Sequence, residues 1–314
     1  MRQPIRVRES WLVAAGIALL SLGSAFASAG QQFTFTFNPP EGASCVMTVK
    51  TTRAIAGGPD GKHTDVGETK ERIEISKTPT GYAVAHTPLS LTMTRDGKPF
   101  SKSDMALAGY FVNLSMVRDL DAKGECVGIR NPEEIARQLA DAFGRNAPAS
   151  VQQSVLMIAE GLIAKNITEW NGRIADFVGR KAKVGDVWAT TSEAGSPLSG
   201  SMPMPTKIKF VGMMKYRRKD CVRISYRNSA GSGSMQQYLQ DIMDRTSASS
   251  GNPRSRVLRV QVAAQGERLI DPATMLIYTE SLTRTFNVTT QTPGQKNTTV
   301  SSVEKRQDRY DYSQ

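Results

Sequence analysis

Histidine is the side chain best suited to moving protons near neutral pH, and this chain has only two, His63 and His86. A Ser-His-Asp unit needs its histidine held between a nucleophile and an acid. His63 sits in a glycine-rich loop and His86 ends a strand-like run, with no G-x-S-x-G near either. Two carboxylates at a set separation could hydrolyse a glycoside. Here nearly every acid falls in a turn, a helix start or a charged strand edge. There is no C-x-x-C and no H-E-x-x-H to hold zinc. Asp119 and Asp121 beside Gly124 lack the further oxygen ligands of a calcium loop and read as turn residues. Gly57-Gly58-Pro59-Asp60-Gly61-Lys62 lacks the spacing and the following Ser/Thr helix of a phosphate loop. No catalytic, metal-binding or cofactor-binding residue is assigned, and no cofactor is expected.

Three softer features remain. Lys215, Arg217, Arg218 and Lys219 surround Tyr216 and form the densest basic patch, a site for an anionic partner or a solvated hairpin tip. Two of Cys45, Cys126 and Cys221 could form a disulfide in an oxidising compartment, and the sequence does not choose the pair. Thirteen methionines include Met202 and Met204 in a proline-punctuated stretch and Met213-Met214 before the basic patch. Methionine suits adaptable apolar surfaces as well as core filling.

The compartment is read from the start of the chain. Arg2, Arg6 and Arg8 precede an apolar run from Trp11 to Leu22, and Ala27-Ser28-Ala29 follows as a small-x-small cleavage pattern. This is the order of a secretory signal peptide over residues 1–29. Its removal takes away three arginines and one glutamate and lowers the net charge from +11 to +9. No later segment approaches the ~20 apolar residues of a spanning helix. The expectation is a periplasmic or secreted protein that does not span the membrane after cleavage.

The elements that must position any site are mostly strands. Phe33, Phe35 and Phe37 alternate with polar residues, and Val46 to Ile55 reads as a second strand. Pro79-Thr80-Gly81 turns a hairpin between Arg72–Lys77 and Tyr82–His86. Tyr110 to Val117 and Glu125 to Ile129 flank the turn Asp121-Ala122-Lys123-Gly124. At Asn131 the period becomes helical: Asn131 as cap and Pro132 at the first position open one helix, Ser150 caps a second, and Asn171-Gly172 stops it. Strands resume at Val184, with a loop predicted over Gly195–Pro205, a joint at Gly231–Ser234, a short helix around Met235 to Ile242 and a loop from Ser247 to Pro253. Val257–Ala263, Leu276–Val288 and Thr298–Tyr312 form a closing meander, in which Glu280 and Arg284 break the apolar face and predict a solvated or polar stretch. The fold class is α+β with a mainly antiparallel sheet. Residues 30–314 read as one strand-rich domain, with two pseudo-halves (30–130 and 184–314) joined by a helical hairpin over 131–171.

The signal peptide before alternating strands, the helical pair Asn131 to Trp170 between strand blocks, and the phrase from Gly266 to Thr274 leading into a long strand together resemble the LolA/LppX-type carriers of the bacterial envelope and similar uncharacterised exported families. The resemblance is architectural and carries no site residues. It implies a strongly curved, half-barrel-like sheet with helices in its open side, and binding of an apolar small molecule or acyl chain. The primary expectation is therefore a non-enzymatic, lipid-binding envelope protein. The alternatives are a structural protein holding an envelope partner or anionic surface, and a hydrolase. Nucleic acid is not an expected partner.

Overall fold

The computed structural model describes residues 32–58, 61–101, 114–143, 149–174, 176–196, 200–229, 232–250 and 255–313. The proposed export signal lies outside these residues, as do positions 110–113 of the predicted hairpin. The chain runs β1 (Gln32–Thr34), β2 (Ser44–Ala56), β3 (His63–Thr78), β4 (Gly81–Arg95), β5 (Lys98–Pro99), β6 (Met116–Asp121) and β7 (Cys126–Arg130), then α1 (Pro132–Phe143) and α2 (Ala149–Arg173). It continues through β8 (Lys181–Lys183), β9 (Val187–Ser196), β10 (Gly200–Tyr216), β11 (Lys219–Ser229), α3 (Ser232–Ser250), β12 (Arg256–Ile270), β13 (Ile277–Gln291) and β14 (Thr298–Tyr312).

Twelve strands form one antiparallel sheet in the order β7-β6-β4-β3-β2-β14-β13-β12-β11-β10-β9, with β5 on β4. β1 and β8 pair separately. Reading the order against the sequence shows a simple path. The chain zigzags outward from β2 at the centre to β7 at one end, crosses through α1 and α2 to the other end, and zigzags back to β14, which pairs with β2. Ten strand spacings of ~4.8 Å separate the ends if measured along the sheet. The 25 residues of α2, at ~1.5 Å each, supply most of that crossing.

The mainly antiparallel α+β class is thus observed, but no strongly curled or closed sheet is seen, which corrects the half-barrel expectation. Closure would need β7 and β9 to pair; instead both pack against α2. Other local expectations also shift. The predicted loop Gly195–Pro205 falls largely within a strand hairpin, β9 and β10, with residues 197–199 outside the described set. The short helix and the start of the loop after it, Ser247–Ser250, merge into the 19-residue α3, which begins inside the predicted joint, with residues 251–253 outside the described set. Asn131 does begin α1, but at φ 51° rather than in the extended form of a side-chain cap. Its backbone carbonyl accepts from the Glu134 amide at 3.0 Å.

The main core lies between the sheet and the helical pair. Along β2, Cys45, Met47 and Val49 are buried while their neighbours are less so, the period of two that the sequence carries. Ile73 and Ile75 of β3, Val84 of β4, Leu120 of β6, Ile135 and Leu139 of α1, and Leu162 of α2 join them. Each fully buried side chain of this size contributes roughly 1.5–3 kcal/mol. Phe37 fastens the N-terminal segment to both layers, edge-on to Tyr82 at 5.1 Å and to Trp170 at 6.3 Å. A second, smaller core forms where α3 covers β12: Met235 packs with Met204, Val257 and Val260.

Candidate functional site: a cavity under helix α2

Strand register decides which side chains share the face under α2. Met116, His86, Ile73, Cys45 and Tyr312 stand side by side across five strands. Glu71, Met47 and Tyr310 form the next row, and Thr69, Val49, Asp308, Glu280 and Arg268 the one after. Between these rows and α2 lies a cavity of about 620 Å³. Met47, Val49, Ile73 and Ile75 make its apolar floor, and Leu162, Asn166, Trp170 and Arg173 come from α2. Lys165 and Glu169, an exposed pair 3.7 Å apart on α2, also line it and mark where it meets solvent.

One wall is an ion cluster. Glu280 and Asp308 lie directly opposite each other on β13 and β14, a pairing of like charges that would destabilise a sheet on its own. Cations surround them. Arg173 reaches down from α2 to pair with Glu280 and to donate to the Tyr310 hydroxyl at 2.8 Å. Arg268 donates to Glu280 at 2.8 Å, and Arg306 grips Asp308 through two bonds of 2.7 and 2.8 Å. Tyr226 donates to Glu280 at 2.9 Å. Burial favours the neutral form of Glu280, but Arg173 and then Arg268 outweigh it and hold its carboxyl far below the usual range. Burial pushes the Tyr310 hydroxyl up to about 12. Gly266 makes room for this arrangement: a Cβ there would stand 2.2 Å from the Ser281 carbonyl and 2.5 Å from the Tyr226 hydroxyl. The polar stretch anticipated at Glu280 is this cluster. Arg284, by contrast, is half exposed and faces Glu304 at 3.8 Å.

The other wall carries a cation with less support. Arg118 of β6 is 8% exposed. Its Nη2 donates to Asn166 Oδ1 at 2.7 Å and its guanidinium stands 5.4 Å over the Trp170 ring. Among the described residues its Nε and Nη1 have no hydrogen-bond partner. Beside it His86 places Nδ1 3.3 Å from Glu71 Oε2, while its buried Nε2 has no partner among the described residues. Burial, helped by the charge of Arg118, lowers the His86 pKa to about 4, so the ring is neutral at pH 7.

The other groups singled out from sequence lie elsewhere. Lys215, Arg217, Arg218 and Lys219 do gather at the β10–β11 hairpin tip, away from the cavity lining. Arg217 is neutralised there by Asp311 at 2.6 Å, and Lys219 stands 5.6 Å over the Tyr278 ring. Arg217 and Arg218 adopt φ of 47° and 69°, in a two-residue turn that normally favours Asn-Gly. Cys45, Cys126 and Cys221 are all free and buried, so the expected option of a disulfide is not taken. Burial raises the thiols of Cys45 and Cys221 to about 12 and about 11, which leaves both protonated and unreactive at neutral pH. Asp121 caps its own turn, accepting from the Lys123 and Glu125 amides, as its turn reading implied. Arg118, Arg173, Glu71 and Arg306 were not singled out. Strand parity put Arg118 and Met116 on one face, but only register and the docking of α2 bring them opposite Asn166. Compared with known family models and with curated proteins, the chain matches none of them.

Proposed function

We propose that this protein is an exported, periplasmic binding protein that carries or senses an apolar or lipid-like ligand and does not transform it. The observation that carries this reading is the cavity under α2: about 620 Å³, within the range of roughly 300–1,000 Å³ typical of small-molecule sites, with an apolar floor and a few converging polar groups. A dozen buried methylenes would contribute on the order of 10 kcal/mol before the costs of association, enough for useful affinity. Helix α2 is the cover, and the resemblance to envelope carriers supplies the same expectation.

The test is native mass spectrometry of the protein recovered from its own envelope, together with titration of a fluorescent fatty acid. A co-purified small molecule, displaced by the probe, is the expected result. Met47→Trp, which fills the floor, should weaken probe binding at least ten-fold. A clean ligand-free mass with no probe binding would sink the reading. The mass of the mature N-terminus checks the proposed export in the same experiment, with cleavage expected after Ala29.

A further inference from the structure

We propose that the ligand of this cavity is an acyl chain bearing a single negative charge, and that Arg118 holds its anionic head. This rests on the binding role proposed above and adds what is bound.

The cations around the cavity differ in how they are paired. Arg173 and Arg306 line it, but each is matched by a buried carboxylate, Glu280 or Asp308. Lys165 is paired with Glu169. Arg118 is the exception: among the described residues its one side-chain hydrogen-bond partner is the Asn166 amide, Glu71 and Glu169 act on it only at longer range, and its guanidinium is nevertheless buried. Arginine cannot shed its charge in a protein, and an isolated buried cation is costly. Neutral acceptance by Asn166 uses one of its three nitrogens.

The guanidinium is also held in place. Asn166 Nδ2 donates to the Leu162 carbonyl at 2.9 Å, which fixes Oδ1 towards Arg118. Trp170 Nε1 donates to the Gly124 carbonyl at 2.8 Å, which fixes the ring beneath it. A cation so oriented, with free N–H groups on a cavity wall, is preorganised for an oxyanion. His86 Nε2 is a second buried and unpartnered polar atom on the same lining. Beside them Met47, Val49, Ile73 and Ile75 give an apolar floor, with Ile73 next to His86 and Ile75 two strands from Arg118 in the same row. A cation on the wall and hydrocarbon beside it describe an amphiphile; Glu71 on the same lining is spent on His86 Nδ1 at 3.3 Å, which leaves Arg118 to take one negative charge. A fatty carboxylate and a monoacyl phosphodiester share this chemistry.

The experiment titrates the full-length protein with dodecanoate, with dodecanol, and with a monoacyl phosphatidylglycerol of the same chain length. Dodecanoate or the phosphodiester should bind at least ten-fold tighter than dodecanol, and whichever binds tighter names the head group. Arg118→Gln should bring the ratio to near one. A second readout needs no change at Arg118: the anionic ligand, and not dodecanol, should alter Trp170 emission, and Trp170→Phe should remove that response. Equal binding of alcohol and anions by the native protein overturns the anion and leaves the apolar site standing. Failure of all three ligands overturns both. A preference that survives Arg118→Gln, or anion binding without a Trp170 response, overturns Arg118 as the anchor.

Discussion

The two walls of the cavity solve the same problem in opposite ways. On the β13–β14 side, Arg173, Arg268 and Arg306 are buried against Glu280 and Asp308, with tyrosine hydroxyls filling in around them. On the β6 side, Arg118 is buried against an amide and an indole face. The first sets three guanidiniums against two carboxylates and ties α2 to the sheet, with only Arg173 Nε and Arg268 Nε left without a partner among the described residues. The second has no carboxylate partner and leaves two donors of one guanidinium unspent. The difference separates a buried charge that holds structure from one placed for something else, since an unmatched buried cation contributes no stability that a packed apolar side chain would not exceed.

The largest expected effect breaks the first wall. Glu280→Gln strands Arg173 and Arg268 together, and should cost about 3–5 kcal/mol in denaturant unfolding. Arg118→Met, its counterpart on the second wall, should be neutral or stabilising. If the two substitutions destabilise equally, the contrast between the walls fails.

Acid separates the walls next. His86 has its pKa lowered to about 4 in the fold, against about 6.5 for a free histidine. Between these values the unfolded chain takes up a proton that the folded one refuses, so stability falls as pH drops from 6.5 towards 4, by up to about 3 kcal/mol. Glu280, with its folded pKa depressed, acts the same way only below the ordinary carboxylate range. Unfolding midpoints at pH 7 and pH 4.5 should therefore converge in His86→Leu; a persisting difference of the native size would remove His86 from this account.

Gly266→Ala attacks the first wall indirectly, by pushing the Tyr226 hydroxyl and the Ser281 carbonyl from their places. A loss of about 1–3 kcal/mol is expected, and it should persist in the Tyr226→Phe background, because the Ser281 carbonyl at 2.2 Å and the ring Cζ at 2.6 Å still clash. The smallest effect sharpens the second wall: Asn166→Ala removes the acceptor that orients Arg118 and should cost roughly 1 kcal/mol, with thermal unfolding as the readout.

How much of this could be read from the sequence depends on range. Hairpins with a local signal were readable: Pro79-Thr80-Gly81, the Asp121 to Gly124 turn and the basic tip all connect the strands they were expected to. The helical pair falls where the period changes, but its caps do not hold: α2 begins at Ala149, before Ser150, and runs through Asn171-Gly172 to Arg173. Met202 to Pro205 misled, because prolines and small residues that usually mark loops are tolerated here in β10, a strand just inside the sheet's end. The long α3 was obscured by its serines and glycine, which are poor helix formers, and it is secured by packing Met235 on Val257 and Val260. For the site, the sequence offered Glu280 as an acid out of pattern and nothing at Arg118. Its importance arises from Asn166 and Trp170, which lie in α2 and meet it only after the chain has crossed the sheet.

That crossing has a consequence for how the protein is made. β2, the first long strand, finds its partner on one side only when β14 arrives, so that Cys45 pairs with Tyr312. Until then β2 presents a bare edge, the kind of surface that recruits other strands, and the joint must close a loop containing nearly the whole fold. A chain threaded through a membrane with its N-terminus leading would have to keep that edge waiting longest. The seam at the middle of the sheet cannot close before β14 is present, and loss of β14 would leave two half-sheets, each with a newly open edge.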